Sequence, residues 1–155
     1  MAGFSLVALK DEIVGDPEGL GYKNSATPND WKGDQEIADL INDPANGANV
    51  FRKNVPMDDV FAEIDWVVDW LGLTGQRNTV IDKQLAFRLI TSTSVLDADS
   101  VRIRDAFAEI FAGTSGGTLE RLNTLTQKAG SRAEVLWGDG QRISARQVGD
   151  AANEI

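Results

Sequence analysis

Apolar residues recur along this 155-residue chain at helical rather than alternating spacing, and the pattern predicts a series of short helices. Ser5 caps a first one in which Leu6, Leu9 and Ile13 share a face; Gly15-Asp16-Pro17 ends it. The stretch from Asp16 to Tyr22 is dense in turn formers. A second helix near Asp34 to Ile41 carries Ile37, Leu40 and Ile41, and Asn42-Asp43-Pro44 stops it. From there to Pro56 the chain reads as an irregular loop or extended arm with Val50, Phe51 and Val55 as docking residues, pinned to its own domain in preference to being swapped onto a neighbour.

A third helix, about Met57 to Leu71, presents one apolar stripe of Val60, Phe61, Ile64, Val67, Val68 and Leu71. Trp66 and Trp70 project from nearly the opposite side, beside Asp59 and Glu63. Two explanations stand: the helix is buried on both sides, or the Trp pair anchors an interface. Asp58, Asp65 and Asp69 fall on the remaining face and read as solvated. The segment from about Asn78 to Thr91 is apolar nearly all round, the mark of a central buried helix. Asp97 then caps a helix from about Ala98 to Ala112 with Ile103, Phe107, Ile110 and Phe111 inward. Gly113 to Gly117 breaks it, and Thr118 opens a helix that ends at Gly130. The last helix begins at Ser144 with Gln147 at capping-box spacing. The expected fold is all-α: an irregular compact bundle of six to eight short helices, with room for a small strand pair near Val135 and Ile143. It is read as a single helical domain over 1–155, with acidic N-terminal helices and an arm over 1–56 and a helical core over 57–155.

Composition narrows the chemistry. There is no His and no Cys, which excludes zinc fingers, haem ligation, disulfides, thiol nucleophiles and a Ser-His-Asp triad. No leader or membrane span is expected. The net charge of −9 is uneven: residues 1–70 hold 14 acids and 5 bases, whereas residues 71–155 hold 10 of each. Eight of those later bases are Arg, which makes bidentate contacts to carboxylates, so the two halves are suited to pair within a chain or between copies. A basic cluster of Arg132, Arg142 and Arg146 around Trp137 reads as Arg stems packed on the indole and bridging to the acidic half. The overall acidity argues against sequence-specific nucleic-acid binding.

The chemical motifs are weak. Gly113 to Gly117 lacks the Gly-Lys-Ser/Thr end of a phosphate loop and reads as a helix–helix turn. Asp97-Ala98-Asp99 lacks the rest of a calcium loop. No catalytic residue, metal ligand or cofactor site is assigned, and the protein is expected not to be an enzyme.

Two segments carry a resemblance. Leu9-Lys10 through Asp16-Pro17-Glu18-Gly19-Leu20-Gly21-Tyr22 is one; the other is Arg104-Asp105-Ala106-Phe107, then Gly130-Ser131-Arg132-Ala133-Glu134-Val135-Leu136-Trp137-Gly138-Asp139-Gly140, closing on Val148-Gly149-Asp150-Ala151. Together they resemble a family of small, functionally unassigned proteins of tailed bacteriophages, while residues 42–78 depart from that pattern. The resemblance implies a virion-structure or morphogenesis role and supplies no catalytic residues. The expectation is a repeated virion subunit at the neck or tail, of head–tail connector or adaptor type, made in the host cytoplasm. It would contact copies of itself and neighbouring virion proteins, and no membrane. The alternatives are a capsid decoration protein or a cytoplasmic accessory factor that binds a phage or host protein. Interface candidates are Trp66, Trp70, Asp59, Glu63, Arg132, Trp137, Arg142 and Arg146.

Overall fold

The computed structural model describes residues 3–23, 30–71 and 77–153, with side chains of 77–81 excepted. The fold is mostly helical, with two short strand pairs. The chain divides into two compact units: residues 1–50 together with 129–155, and residues 51–128. The second is therefore one uninterrupted stretch of sequence, and the first is built from the two stretches that flank it. The units do not follow the sequence boundary at residue 56, where the arm is expected to give way to the helical core, because the C-terminal helices pack with the N-terminal ones.

In unit 1, α1 (Leu6–Gly15) and α2 (Asp34–Asn42) pack on α8 (Ala145–Asn153), and α2 also meets α7 (Arg132–Trp137). Ser5 Oγ accepts the Ala8 N–H at 3.1 Å, and Ser144 Oγ accepts the Gln147 N–H at 3.3 Å, so α1 and α8 are capped at the residues their sequences indicate. The core is Leu9, Ile13, Tyr22, Ile37, Ile41, Trp137, Ile143 and Val148 with small alanines between. Asn42 ties α2 to the approach of α8: its Nδ2 donates to the Ile143 carbonyl at 2.6 Å and its Oδ1 accepts the Ile143 N–H at 2.9 Å.

Val135 lies in α7 and Ile143 in the irregular stretch that leads into α8, so the strand pair expected there is absent. Ser131 and Glu134 explain this. Ser131 Oγ accepts the Glu134 N–H, and the Glu134 carboxylate accepts the Ser131 N–H at 3.0 Å, which nucleates a helix. The strands lie instead at β1 (Asn49–Phe51), paired with β4 (Gln127–Ala129), and at β2 (Val55–Pro56), antiparallel to β3 (Val95–Leu96). The chain leaves unit 1 along β1 and returns along β4. Close to that passage, Gly47 faces Gly130 so tightly that a Cβ on Gly47 would overlap the Gly130 carbonyl oxygen. Gly47→Ala is expected to destabilise unit 1 by about 2–3 kcal/mol, because backbone rather than a mobile side chain must move; hydrogen exchange of unit 1 peptides measures it.

In unit 2, α3 (Met57–Ala62) is followed by a bend and a single π-helical turn (Trp66–Trp70), not by one continuous helix. Asp65 causes the break. Its N–H donates to Thr118 Oγ1 at 2.8 Å, and its own carboxylate caps the Val67 and Val68 N–H groups at 3.1 and 2.8 Å. After the bend, α4 (Arg77–Ile90) packs on α5 (Val101–Ile110), and α3 packs on α6 (Thr118–Leu125). The core joins Val55, Met57, Val60, Ile64, Phe87, Leu96, Phe107, Ile110, Phe111 and Leu122.

Three further expectations change. α5 starts at Val101 rather than Ala98, since the Asp97 carboxylate accepts the Asp99 N–H in a turn and Ser100 stands at the cap position. α6 ends at Leu125, and β4 replaces its predicted last turn. α4 is not buried all round, because only one side of it meets α5: Phe87 is buried while Leu85 and Leu89 are exposed.

Candidate functional site

Unit 1 holds a buried charge cluster assembled from both resemblance segments. Glu12 lies on α1 between Leu9 and Ile13, on the apolar face, and is buried with them. Arg132 at the start of α7 grips it with both prongs: Nε donates to Glu12 Oε1 at 2.8 Å and Nη2 to Oε2 at 2.9 Å. Arg132 Nη1 reaches Glu18 Oε1 at 3.2 Å, and the buried Tyr22 hydroxyl donates to Glu12 Oε1 at 3.2 Å. The turn between these acids is fixed by Asp16, which adopts the left-handed conformation and accepts the N–H groups of Leu20 at 2.7 Å and Gly21 at 2.9 Å. Burial, then the Glu12 charge, pushes the Tyr22 phenol far above its ordinary value; the Glu12 hydrogen bond raises the Arg132 guanidinium. Acid, base and phenol thus satisfy one another, which describes a structural clasp rather than a proton-transfer site.

Unit 2 holds a second internal anion. Asp69, read from the sequence as solvated, is fully buried. Its Oδ2 accepts the Thr118 N–H at 2.9 Å and its Oδ1 makes a short hydrogen bond with the Gly116 N–H. Burial opposes its charge, yet the Thr118 and Gly116 hydrogen bonds, with Arg121 nearby, hold the carboxyl below its usual range. The Gly-rich turn is therefore an anion cradle whose anion is supplied by the chain itself. Gly113 and Gly117, both at positive φ, open the loop. At Gly116 a Cβ would stand 2.6 Å from Asp69 Oδ1, so only glycine lets the backbone approach. Arg121 closes the cradle, with Nη1 donating to the Gly116 carbonyl at 2.8 Å and Nε to the Glu63 carbonyl at 3.0 Å.

The interface candidates separate. Arg132 belongs to the clasp, and Trp137 is buried in the unit 1 core, edge-on to Phe4 at 5.3 Å. Arg142 and Arg146 are exposed, and Arg146 lies 3.8 Å from Asp150. Asp59 is exposed on α3, while Glu63 lies 3.6 Å from Arg121. The Trp pair divides its roles. Trp70 packs on Phe87 at 4.7 Å; Trp66 crosses it at 5.7 Å, donates its indole N–H to the Phe61 carbonyl and remains 41% exposed.

What the sequence pattern missed is the apolar surface created by the bend after α3. The π turn carries Trp70 inward and turns Val67 and Val68 out, Val67 to 73% exposure, with Leu71 also exposed. On α4, Leu85 and Leu89 are 56% and 68% exposed. These are two separate exposed apolar features, since Trp66 and Trp70 pack against Phe87 whereas Leu85 and Leu89 lie two residues either side of it on α4. Unit 2 also contains an open groove of about 770 Å³ between α5 and α6. Phe107, Phe111 and Leu122 form its floor, and Ala108 and Leu119 line its walls.

Among the described residues, no group of acids is arranged to hold a metal ion, no buried side-chain polar atom lacks a hydrogen-bond partner, and no helix is long and apolar enough to cross a membrane. No protein-family model, curated protein or solved structure matches the chain.

Proposed function

We propose that this chain is a non-enzymatic structural subunit of a tailed-bacteriophage particle, placed at the neck or tail as a connector or adaptor and repeated through protein–protein contacts. The observation that carries an assembly role is the set of exposed large apolar side chains in unit 2: Leu85 and Leu89 on α4, and Trp66, Val67 and Val68 on the π turn. The buried charges support the non-enzymatic part, since Glu12, Arg132 and Asp69 are engaged by internal partners that fix them in place. The phage setting rests on the resemblance. Its N-terminal segment and the Gly130 to Ala151 segment both fall in unit 1, where Glu12, Tyr22 and Arg132 give their spacing a structural purpose.

Mass spectrometry of purified particles tests this reading. The expected result is a chain present at a ring-like copy number, small beside that of the major capsid protein. A copy number comparable with the shell would favour a decoration protein, and a chain missing from particles would favour the cytoplasmic accessory factor; either would overturn the connector reading.

A further inference from the structure

We propose that the exposed face of α4 in one copy seats in the α5–α6 groove of a second copy, making a head-to-tail contact between identical chains. The inference rests on the assembly reading above and names the surfaces that would meet. The groove is apolar at its floor, so its occupant must bring apolar side chains. Its exposed charges are chiefly acidic. Asp105 and Glu120 stand at the mouth, whereas the Arg104 guanidinium is committed to the Ala98 and Asp99 carbonyls, at 2.7 and 2.8 Å, and lies 3.9 Å over the Phe51 ring. The mouth therefore favours an apolar segment that also carries a positive charge.

The outer face of α4 has that composition. Leu85, Arg88 and Leu89 are all exposed and follow the i, i+3, i+4 spacing by which a helix presents anchors to a groove. Asp82 lies one turn earlier, so the matching charge comes from the C-terminal part of the helix. A chain cannot fill its own groove this way. α4 meets α5 on the side of Phe87, which contacts Phe107 and Phe111 at 6.1 and 6.2 Å. Leu85 and Leu89, each two residues from Phe87, project from the far side of α4. A second copy supplies what the first cannot. Because ridge and groove are different surfaces, the contact is heterologous, and repetition closes a ring or grows a filament.

The test uses sedimentation or light scattering on the full chain, with circular dichroism to check folding. A ridge variant, Leu85→Glu with Leu89→Glu, keeps its groove; a groove variant, Ala108→Arg with Glu120→Arg, keeps its ridge. Wild type is expected to self-associate and each variant to lose association by at least about tenfold. An equimolar mixture should then give a one-to-one dimer that grows no further, which only a head-to-tail contact produces. If the double variants fail to fold, the exposed single change Arg88→Glu should weaken association, and adding Glu120→Arg should restore it. Undiminished association of the variants would overturn this contact while leaving assembly intact. A monomeric wild type would also overturn it, and the particle measurement would then decide the connector reading independently.

Discussion

Replacing Arg132 with Met should destabilise unit 1 by about 3–5 kcal/mol, the usual cost of removing one partner from a buried ion pair. Glu12 would keep its place between Leu9 and Ile13 but lose two charge-assisted hydrogen bonds, with Tyr22 as its remaining neutral donor. The larger part of the effect is thus the stranded carboxylate, not the lost attraction. Removing the whole cluster tests this. Glu12→Met and Tyr22→Phe added to Arg132→Met should regain most of the loss, because an apolar set leaves nothing unsatisfied. The clasp also sets an alkaline limit. Tyr22 keeps its proton in the fold to a higher pH than in the unfolded chain, whose phenol titrates near 10. Its contribution is complete below that pH and lost as pH rises above it. Arg132 shifts in the same direction, but a guanidinium ordinarily loses its proton only at far higher pH than a phenol, so the onset near pH 10 belongs to Tyr22. Hydrogen exchange of unit 1 peptides across this range is the measurement, and Tyr22→Phe should remove the onset.

Much of the helical frame is legible in the sequence because it is local. α1, α2 and α8 begin and end close to where caps and turn residues place them, since a Ser hydroxyl or an Asn-Asp-Pro stop acts on neighbouring backbone. The bend after α3 is different in kind. The sequence from Met57 to Leu71 has a continuous helical period, and the break comes at Asp65, whose N–H goes to Thr118, 53 residues away, while its carboxylate caps Val67 and Val68. The break explains why Val67 and Val68 are exposed: the apolar stripe needs one helical register from Val60 to Leu71, and α3 stops at Ala62. Periodicity holds no record of such a contact.

Glu12 was partly visible. It falls on the apolar face of α1, one residue before Ile13, and a carboxylate there calls for a cation; the Arg-rich second half offered eight. The sequence does not say which, since the choice of Arg132 depends on how α7 packs. The charge imbalance between halves does find an internal counterpart in Arg132 with Glu12 and Glu18. Arg121 with Glu63 in unit 2 is a second such pair, so among the described residues acids of the first half meet Arg of the second inside each unit. Asp69 gave less warning still, because acids recur through its helix and nothing in their spacing distinguishes the one that is buried. The available signal was in the Gly-rich turn: glycines dense enough to expose backbone N–H groups imply an anion, and that anion is internal.

Asp69→Ala should cost unit 2 about 3 kcal/mol, since it strands the buried Thr118 and the half-buried Gly116 N–H donors at roughly 1–3 kcal/mol each, the second at the low end. Asp69→Asn separates charge from hydrogen bonding. An amide offers one accepting oxygen where the carboxylate offers two, and its NH2 would face an N–H donor, so about half the loss should remain. Gly116→Ala should reproduce much of the effect without touching the carboxylate, because its Cβ would stand where Asp69 Oδ1 now approaches. The pH dependence has the opposite sense to that of unit 1. Asp69 holds its charge in the fold below its ordinary value of 3.8, so its contribution is present above that pH and lost as pH falls below it. Hydrogen exchange of peptides spanning the π turn and α6 should therefore show unit 2 opening in acid, and Asp69→Ala should flatten that response. The cradle also anchors the π turn that turns Val67 and Val68 outward. Because Gly113, Thr114 and Gly117 of the same loop line the α5–α6 groove, Gly116→Ala should also disturb the groove proposed for self-association, so that self-association falls along with the protection of α6.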